Sequence, residues 1–178
     1  MKIAIISDSH DNIPNIEKFL DWANDNKIEM IIHCGDIAAP SVIKEELAPK
    51  FNGPIHLVYG NVTDRDLLPE VCAELENVTL HGDVGELDFS PPSQGGDAQR
   101  AEGVKIAFCH FSDQAKKLAE SGKYNLVFYG HTHKPWEEVI NGCRVINPGT
   151  LAGMFYKATF AVYDTKDDKL ELKLVELI

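Results

Sequence analysis

Seven residues carry the side chains best suited to chemistry: Asp8, His10, Asp36, Asn61, His110, His131 and His133. Each stands just past a short apolar run. Asp8 and His10 follow the first, Asp36 the second and Asn61 the third, with His110 after Val104–Cys109 and His131 and His133 after Asn125–Tyr129. If those runs are buried strands of one open α/β sheet, their carboxyl ends deliver all seven groups to one edge, where such sheets bind ligands. The pairs Asp8/His10 and His131/His133 are spaced i, i+2, which in an extended chain places both members on one side.

Imidazole nitrogens with carboxylate and amide oxygens favour manganese, iron, zinc or nickel over calcium. Seven donors exceed what one tetrahedral zinc takes and suit two cations sharing a carboxylate. Two divalent cations against two carboxylates leave a net positive site, able to hold a phosphate and to lower the pKa of a bridging water. Taken singly, an Asp at such a position is a common helix cap, Asn61 beside Gly60 a turn, and a lone His a surface residue. Unrelated caps and turns do not account for all seven. His33, His56 and His81 lack matching partners in the sequence and are assigned to packing or exposure.

The elements that must position these groups are legible in the pattern. Lys2–Ile6, Met30–Cys34 and Ile55–Tyr59 read as strands buried on both faces. Between them, Ile16, Phe19, Leu20 and Ala23 form a helical stripe behind Asn12 and Pro14. A second helix starts near Ser41, taken as its N-cap, and Leu67, Leu68, Val71 and Leu75 mark a third. This βαβαβ opening predicts a parallel sheet with right-handed crossovers. Farther on, Val78–His81, Glu86–Phe89, Val104–Cys109 and Asn125–Tyr129 read as strands. Asp113–Glu120 reads as a helix stopped by Gly122, and Ser90–Gly103 as a mobile loop within a hairpin. Trp136–Ile146 and Thr159–Val175 read as hairpins turning at Asn141-Gly142 and Lys166–Lys169. The expected fold is one mixed α/β domain over residues 1–178.

Net charge is -11, which argues against a broad surface for duplex nucleic acid and against electrostatic docking on an anionic membrane. A small phosphate ester remains compatible, because bound cations reverse the local field. Cys34, Cys72, Cys109 and Cys143 form no CxxC pair and are expected as free thiols. Asp8 interrupts the N-terminal apolar run too early for a signal peptide, and no run approaches the length of a membrane span. A soluble, cytoplasmic protein is expected, with homo-oligomerisation left open. No GxSxG, P-loop or strand-linked GxGxxG motif is present.

Asp8-Ser9-His10, Gly35-Asp36, Gly60-Asn61, His110 and Gly130-His131-Thr132-His133 together resemble the ordered motif set of the calcineurin-like metallophosphoesterases. The likeness is greatest to their small single-domain phosphodiesterase branch, which also contains the Vps29-like proteins, and Asn147-Pro148-Gly149-Thr150 resembles a turn typical of that branch. The resemblance implies two mixed β-sheets packed face to face and flanked by helices. It implies that Asp8, His10, Asp36 and His133 hold one metal and that Asp36, Asn61, His110 and His131 hold the other, with Asp36 bridging. Asn61 and His110 would act in catalysis, Asn61 both as ligand and as a contact to phosphate. The implied activity is hydrolysis of small phosphate diesters by hydroxide held between two divalent cations, manganese first and nickel, iron or zinc after it. The alternatives are a phosphomonoesterase with the same centre and a catalytically weak interaction scaffold.

Two departures from the pattern bear on mechanism. The loop Gly60-Asn61-Val62-Thr63-Asp64 is one residue longer than the family's GNxD and lacks its frequent His, which removes a general acid and should favour good leaving groups. Phe111 follows His110 where many relatives carry Gly-His or Gly-Asn; it is read either as a roof over the site or as core. Arg65 and Lys134 are read as solvated charges or as steering groups for an anion.

Overall fold

Lys2–Ile6 is apolar after its first residue and forms β1, buried on both faces. In the computed structural model, which describes residues 1–89 and 103–178, β1 lies inside a six-stranded sheet. Its parallel neighbour is β2 (Met30–His33), followed by β3 (Ile55–Leu57) and β4 (Val78–Leu80), also parallel. The expected βαβαβ unit is therefore present. The other edge of β1 carries an antiparallel partner, β10 (Thr159–Asp164), which pairs with β11 (Lys169–Leu174).

A second sheet has five strands in the order β5 (Val84–Asp88), β6 (Lys105–Cys109), β7 (Leu126–Phe128), β9 (Cys143–Asn147) and β8 (Trp136–Ile140). β6, β7 and β9 run parallel, and β5 and β8 are antiparallel edges. The β8–β9 hairpin turns at Asn141 and Gly142, both with positive φ, as a two-residue hairpin turn requires. The sheets meet through Ile3, Ile5 and Ile32 on one side and Phe108, Phe128 and Ile146 on the other. This is the mixed α/β sandwich that the resemblance implies. The loop expected over Ser90–Gly103 lies, except for Gly103, outside the described residues.

Ile16, Phe19, Leu20 and Ala23 are all buried on the helix Ile13–Asp25, and the Asn12 side chain accepts from the Asn15 N–H at 3.3 Å. The second helical stretch, over 40–50, differs from expectation at its start. Ser41 lies inside the helix rather than capping it, since the turn begins at Pro40. The Asp11 carboxylate instead accepts from the N–H groups of Ala38 and Ala39 at 3.1 and 2.9 Å, tying the Asp8 loop to this helix. In the helix Leu67–Ala73, Leu68 faces inward and Leu75 beyond it packs on the core, as expected, while Leu67 is exposed and Cys72 is buried in addition. All four cysteines are free and buried. No helix among the described residues is long and apolar enough to cross a membrane.

Chain ends crowd together where the parallel strands stop. A Cβ on Gly60 would lie 1.9 Å from Asp36 Oδ1 and 2.3 Å from Asp36 N, and one on Gly130 would lie 1.9 Å from Ser7 Oγ and 2.6 Å from Asp8 Oδ2. Only residues without side chains let the loops after β3 and β7 reach those carboxylates. Gly60→Ala should lose about 2 kcal/mol and lower Tm by about 4–8 °C in a calorimetric melt; an unchanged Tm would mean the loops are not this close.

Away from that edge, His56 Nδ1 and His81 Nε2 lie 2.9 Å apart, half-buried, with the His81 ring edge-on to Phe108. Burial, then the neighbouring His81, lowers the pKa of His56 to about 4. A pKa depressed in the fold contributes stability that is full above the unfolded value of 6.5 and is lost as pH falls towards 4. In urea melts from pH 7 to 4.5, wild type should lose about 1–2 kcal/mol more than His56→Gln. Parallel losses in the two proteins would rule the pair out as an acid-sensitive element.

Candidate metal centre

The seven residues picked out by type and spacing do converge. His133 Nε2 lies 3.1 Å from Asp8 Oδ1 and 3.2 Å from His10 Nε2. Asp36 Oδ2 stands between His10 Nε2 at 3.8 Å and His110 Nε2 at 3.4 Å. Asn61 Oδ1 meets His110 Nε2 at 3.0 Å and His131 Nδ1 at 2.8 Å. Two trios, Asp8–His10–His133 and Asp8–Asp36–His110, each bring their donor atoms within 4.8 Å of one another. Asp8, Asp36, His110 and His133 are buried, while Asn61 and His131 open to solvent, so the cluster has a floor and a mouth.

The route to this convergence differs from the extended pairs expected. Asp8, His10, Asp36, His131 and His133 all have positive φ, between 39 and 67°. Each pair turns through the left-handed region instead of running straight, because the chain must leave its strand and bend back over the sheet edge. Such a conformation costs a non-glycine residue about 1–2 kcal/mol, and its clustering at one place marks a functional site.

The proton inventory is the informative part. His110 Nδ1 lies 2.8 Å from the Cys34 carbonyl and His133 Nδ1 lies 3.4 Å from the Met154 carbonyl. A carbonyl only accepts, so each Nδ1 carries a hydrogen, and each ring, whenever neutral, presents its lone pair at Nε2. Those nitrogens face Asp8 Oδ1, Asp36 Oδ2 and Asn61 Oδ1. Burial opposes a charge on His110, but the facing Asp36 carboxylate outweighs it and raises the His110 pKa, so either a proton or a cation meets the demand of the carboxylates there. Such a donor set fits cations, which take lone pairs and neutralise carboxylates together. Burial raises the pKa of Asp8, the signature of a carboxylate short of positive charge. Burial acts on Asp36 in the same sense, but the His110 imidazole and the Val62 N–H hold it down at about 2.

His33, assigned to packing on sequence, has a larger part. It is fully buried; its Nδ1 accepts from the Gly35 N–H at 3.2 Å, which leaves Nε2–H to donate to Ser9 Oγ at 3.1 Å. Burial lowers its pKa to about 3, so it stays neutral while bracing the loops that carry Asp8 and Asp36. No spacing signal marks it, though its place two residues before Gly35 was a hint. From the far end of the chain, Thr150 Oγ1 donates to Asp8 O at 2.9 Å and Asn147 Nδ2 to Gly130 O at 2.8 Å. The Asn147–Thr150 turn thus pins the loops that carry Asp8 and His131.

Phe111 is not core: it is 38% exposed, with its ring centroid 4.9 Å from those of His110 and His131. Arg65 is bonded to Asp83 at 2.7 Å and lies over the Tyr59 ring, and Lys134 lies over Trp136, so neither faces the ligand cluster as a bare charge.

Comparison with known proteins identifies the family. The model of the calcineurin-like phosphoesterase superfamily domain matches residues 1–168. Phosphodiesterase MJ0936 of Methanocaldococcus jannaschii is 32% identical over 170 residues, covering 93% of this chain and 94% of that protein. A solved archaeal phosphodiesterase superposes with a TM-score of 0.80 at 31% identity, over 98% of this chain and 99% of that one. Wild-type Vps29 of Entamoeba histolytica, solved with zinc, shares the fold with a TM-score of 0.66 at 15% identity, over 98% and 99% of the two chains. Members of the matched family depend on divalent metals and hydrolyse phosphate esters. The chain belongs to the calcineurin-like phosphoesterase superfamily.

Proposed function

We propose that this protein, read as one domain over residues 1–178, is a metal-dependent phosphodiesterase. Its cations are held by Asp8, His10, Asp36 and His133 on one side and by Asp36, Asn61, His110 and His131 on the other. The observation that carries the reading is the convergence of donor atoms from His110, His133, Asp8, Asp36 and Asn61 on one cluster whose carboxylates have no lysine or arginine partner among the described residues. The similarity to a phosphodiesterase at 32% identity supports the substrate class. Manganese suits this mixed nitrogen and oxygen donor set best, and the buried free thiols are in keeping with a cytoplasmic setting.

When bound, a pair of divalent cations supplies Lewis acidity and lowers the pKa of coordinated water enough to make hydroxide available near neutral pH. The chain's own work is placement. The Cys34 and Met154 carbonyls fix the tautomers of His110 and His133, so each ring offers Nε2 without a search. Asn61 offers Oδ1 inward, and its NH2 group is the donor placed to meet a phosphate oxygen at the open side. Val62 spends its N–H on Asp36 Oδ1, and the Thr63 hydroxyl accepts from the Gly60 N–H. Asp64 turns away to accept from Asp66 and Leu67 at the start of the next helix. The loop therefore presents no acid over the site, and departure of the leaving oxygen rests on its own basicity.

Asp36→Asn and Asn61→Ala should each lower kcat on bis-p-nitrophenyl phosphate at least about a hundredfold with circular dichroism unchanged; wild-type rates in Asp36→Asn would remove the bridging role. A chelator should abolish turnover and manganese restore it. Stoichiometric uptake of two metals without any diester turnover would instead favour the scaffold, and faster cleavage of p-nitrophenyl phosphate than of the diester would favour a monoesterase. Dialkyl phosphates should be cleaved far more slowly than aryl esters, since the loop offers no proton to an alkoxide.

A further inference from the structure

Contacts through the cluster run in sequence from His133 and Asp8 through His10 and Asp36 to His110, Asn61 and His131. An aromatic ring stands at each end. Phe155 has its centroid 5.6 Å from the His133 ring, and Phe111 lies 4.9 Å from both His110 and His131. Neither ring serves the core. Phe155 is 87% exposed on a backbone with φ of 63°, and Phe111 stands half-out before the helix Ser112–Glu120. Core packing therefore does not fix either ring, and both faces are free to meet a ligand.

Phe111 also walls an open groove of about 650 Å³ shared with Arg65, Asp83, Asp113, Gln114 and Lys117. Two cationic and two anionic side chains balance there, and Arg65 is already bonded to Asp83. The groove thus offers a ring face and polar edges without net charge, which suits an uncharged flat group better than a second phosphate. A phosphate diester has two substituents, and one seated across the cluster sends an arm towards each end.

Resting on the diesterase reading, we propose that Phe111 and Phe155 determine substrate specificity by stacking against flat aromatic substituents, so the preferred substrates are diesters bearing phenyl-sized or nucleobase-sized groups. A monoester has one arm and engages only one ring.

The test uses the full chain loaded with manganese and measures affinity by calorimetry for diphenyl phosphate and dimethyl phosphate. Stacking is worth about 1–3 kcal/mol per ring, so Phe111→Ala and Phe155→Ala should each cut the advantage of diphenyl over dimethyl phosphate by about fivefold or more. The double variant should lose the product of the two factors, because the rings sit at opposite ends. Phe111→Tyr and Phe155→Tyr should keep the advantage. Taking the ratio of two ligands within each variant cancels any general weakening of the site. A diphenyl advantage unchanged in both alanine variants overturns the proposal. Failure of the diesterase reading would look different: no turnover of bis-p-nitrophenyl phosphate, with the affinity pattern intact.

Discussion

Buried carboxylates and imidazole nitrogens cannot face one another without a proton or a cation between them. Desolvating a carboxylate costs several kcal/mol, and neither Asp8 nor Asp36 has a lysine or arginine partner among the described residues. Everything at this sheet edge follows from that requirement. Backbone carbonyls orient the imidazoles so that nitrogen lone pairs point inward. Two glycines let neighbouring loops approach the carboxylates. Five residues accept left-handed backbone so that their side chains converge.

That local strain is held by bonds from several directions. Asp8 N–H donates to Gly35 O at 3.0 Å and His10 N–H to Asp36 O at 3.1 Å, joining the loops after β1 and β2. Leu151 and Ala152 N–H groups donate to Ser7 O and Asp8 O at 2.9 and 3.1 Å from the opposite side. Ser9 is braced from below by His33. A loop so over-determined keeps a costly conformation, which is the condition for a preorganised site.

Much of this was legible in the chain. Continuous apolar runs marked β1 to β3, and residue types beyond the carboxyl ends of β1, β2, β3, β6 and β7 marked the seven residues that the structure brings together. What stayed hidden was set by distant contacts. Nothing in Thr159–Asp164 says that it docks antiparallel on β1, because pairing partners are chosen by the whole sheet. Ser41 looked like a cap, yet Asp11, brought near by the Asp8 loop, satisfies those N–H groups. Phe111 read equally as roof or core until its rings of contact were known, and His33 looked inert because its role is to hydrogen-bond a motif rather than to belong to one.

The pinning of Asp8 by Thr150 spans 142 positions along the polypeptide. A nascent chain leaving the ribosome N-terminus first exposes β1, β2 and β3 well before the turn that clamps the aspartate and the strand β10 that closes the open flank of β1. Until then the flank of β1 is an unpaired edge, open to wrong partners. A chain truncated before Asn147 would therefore carry all seven candidate ligands yet lack the clasp that shapes the Asp8 and His131 loops.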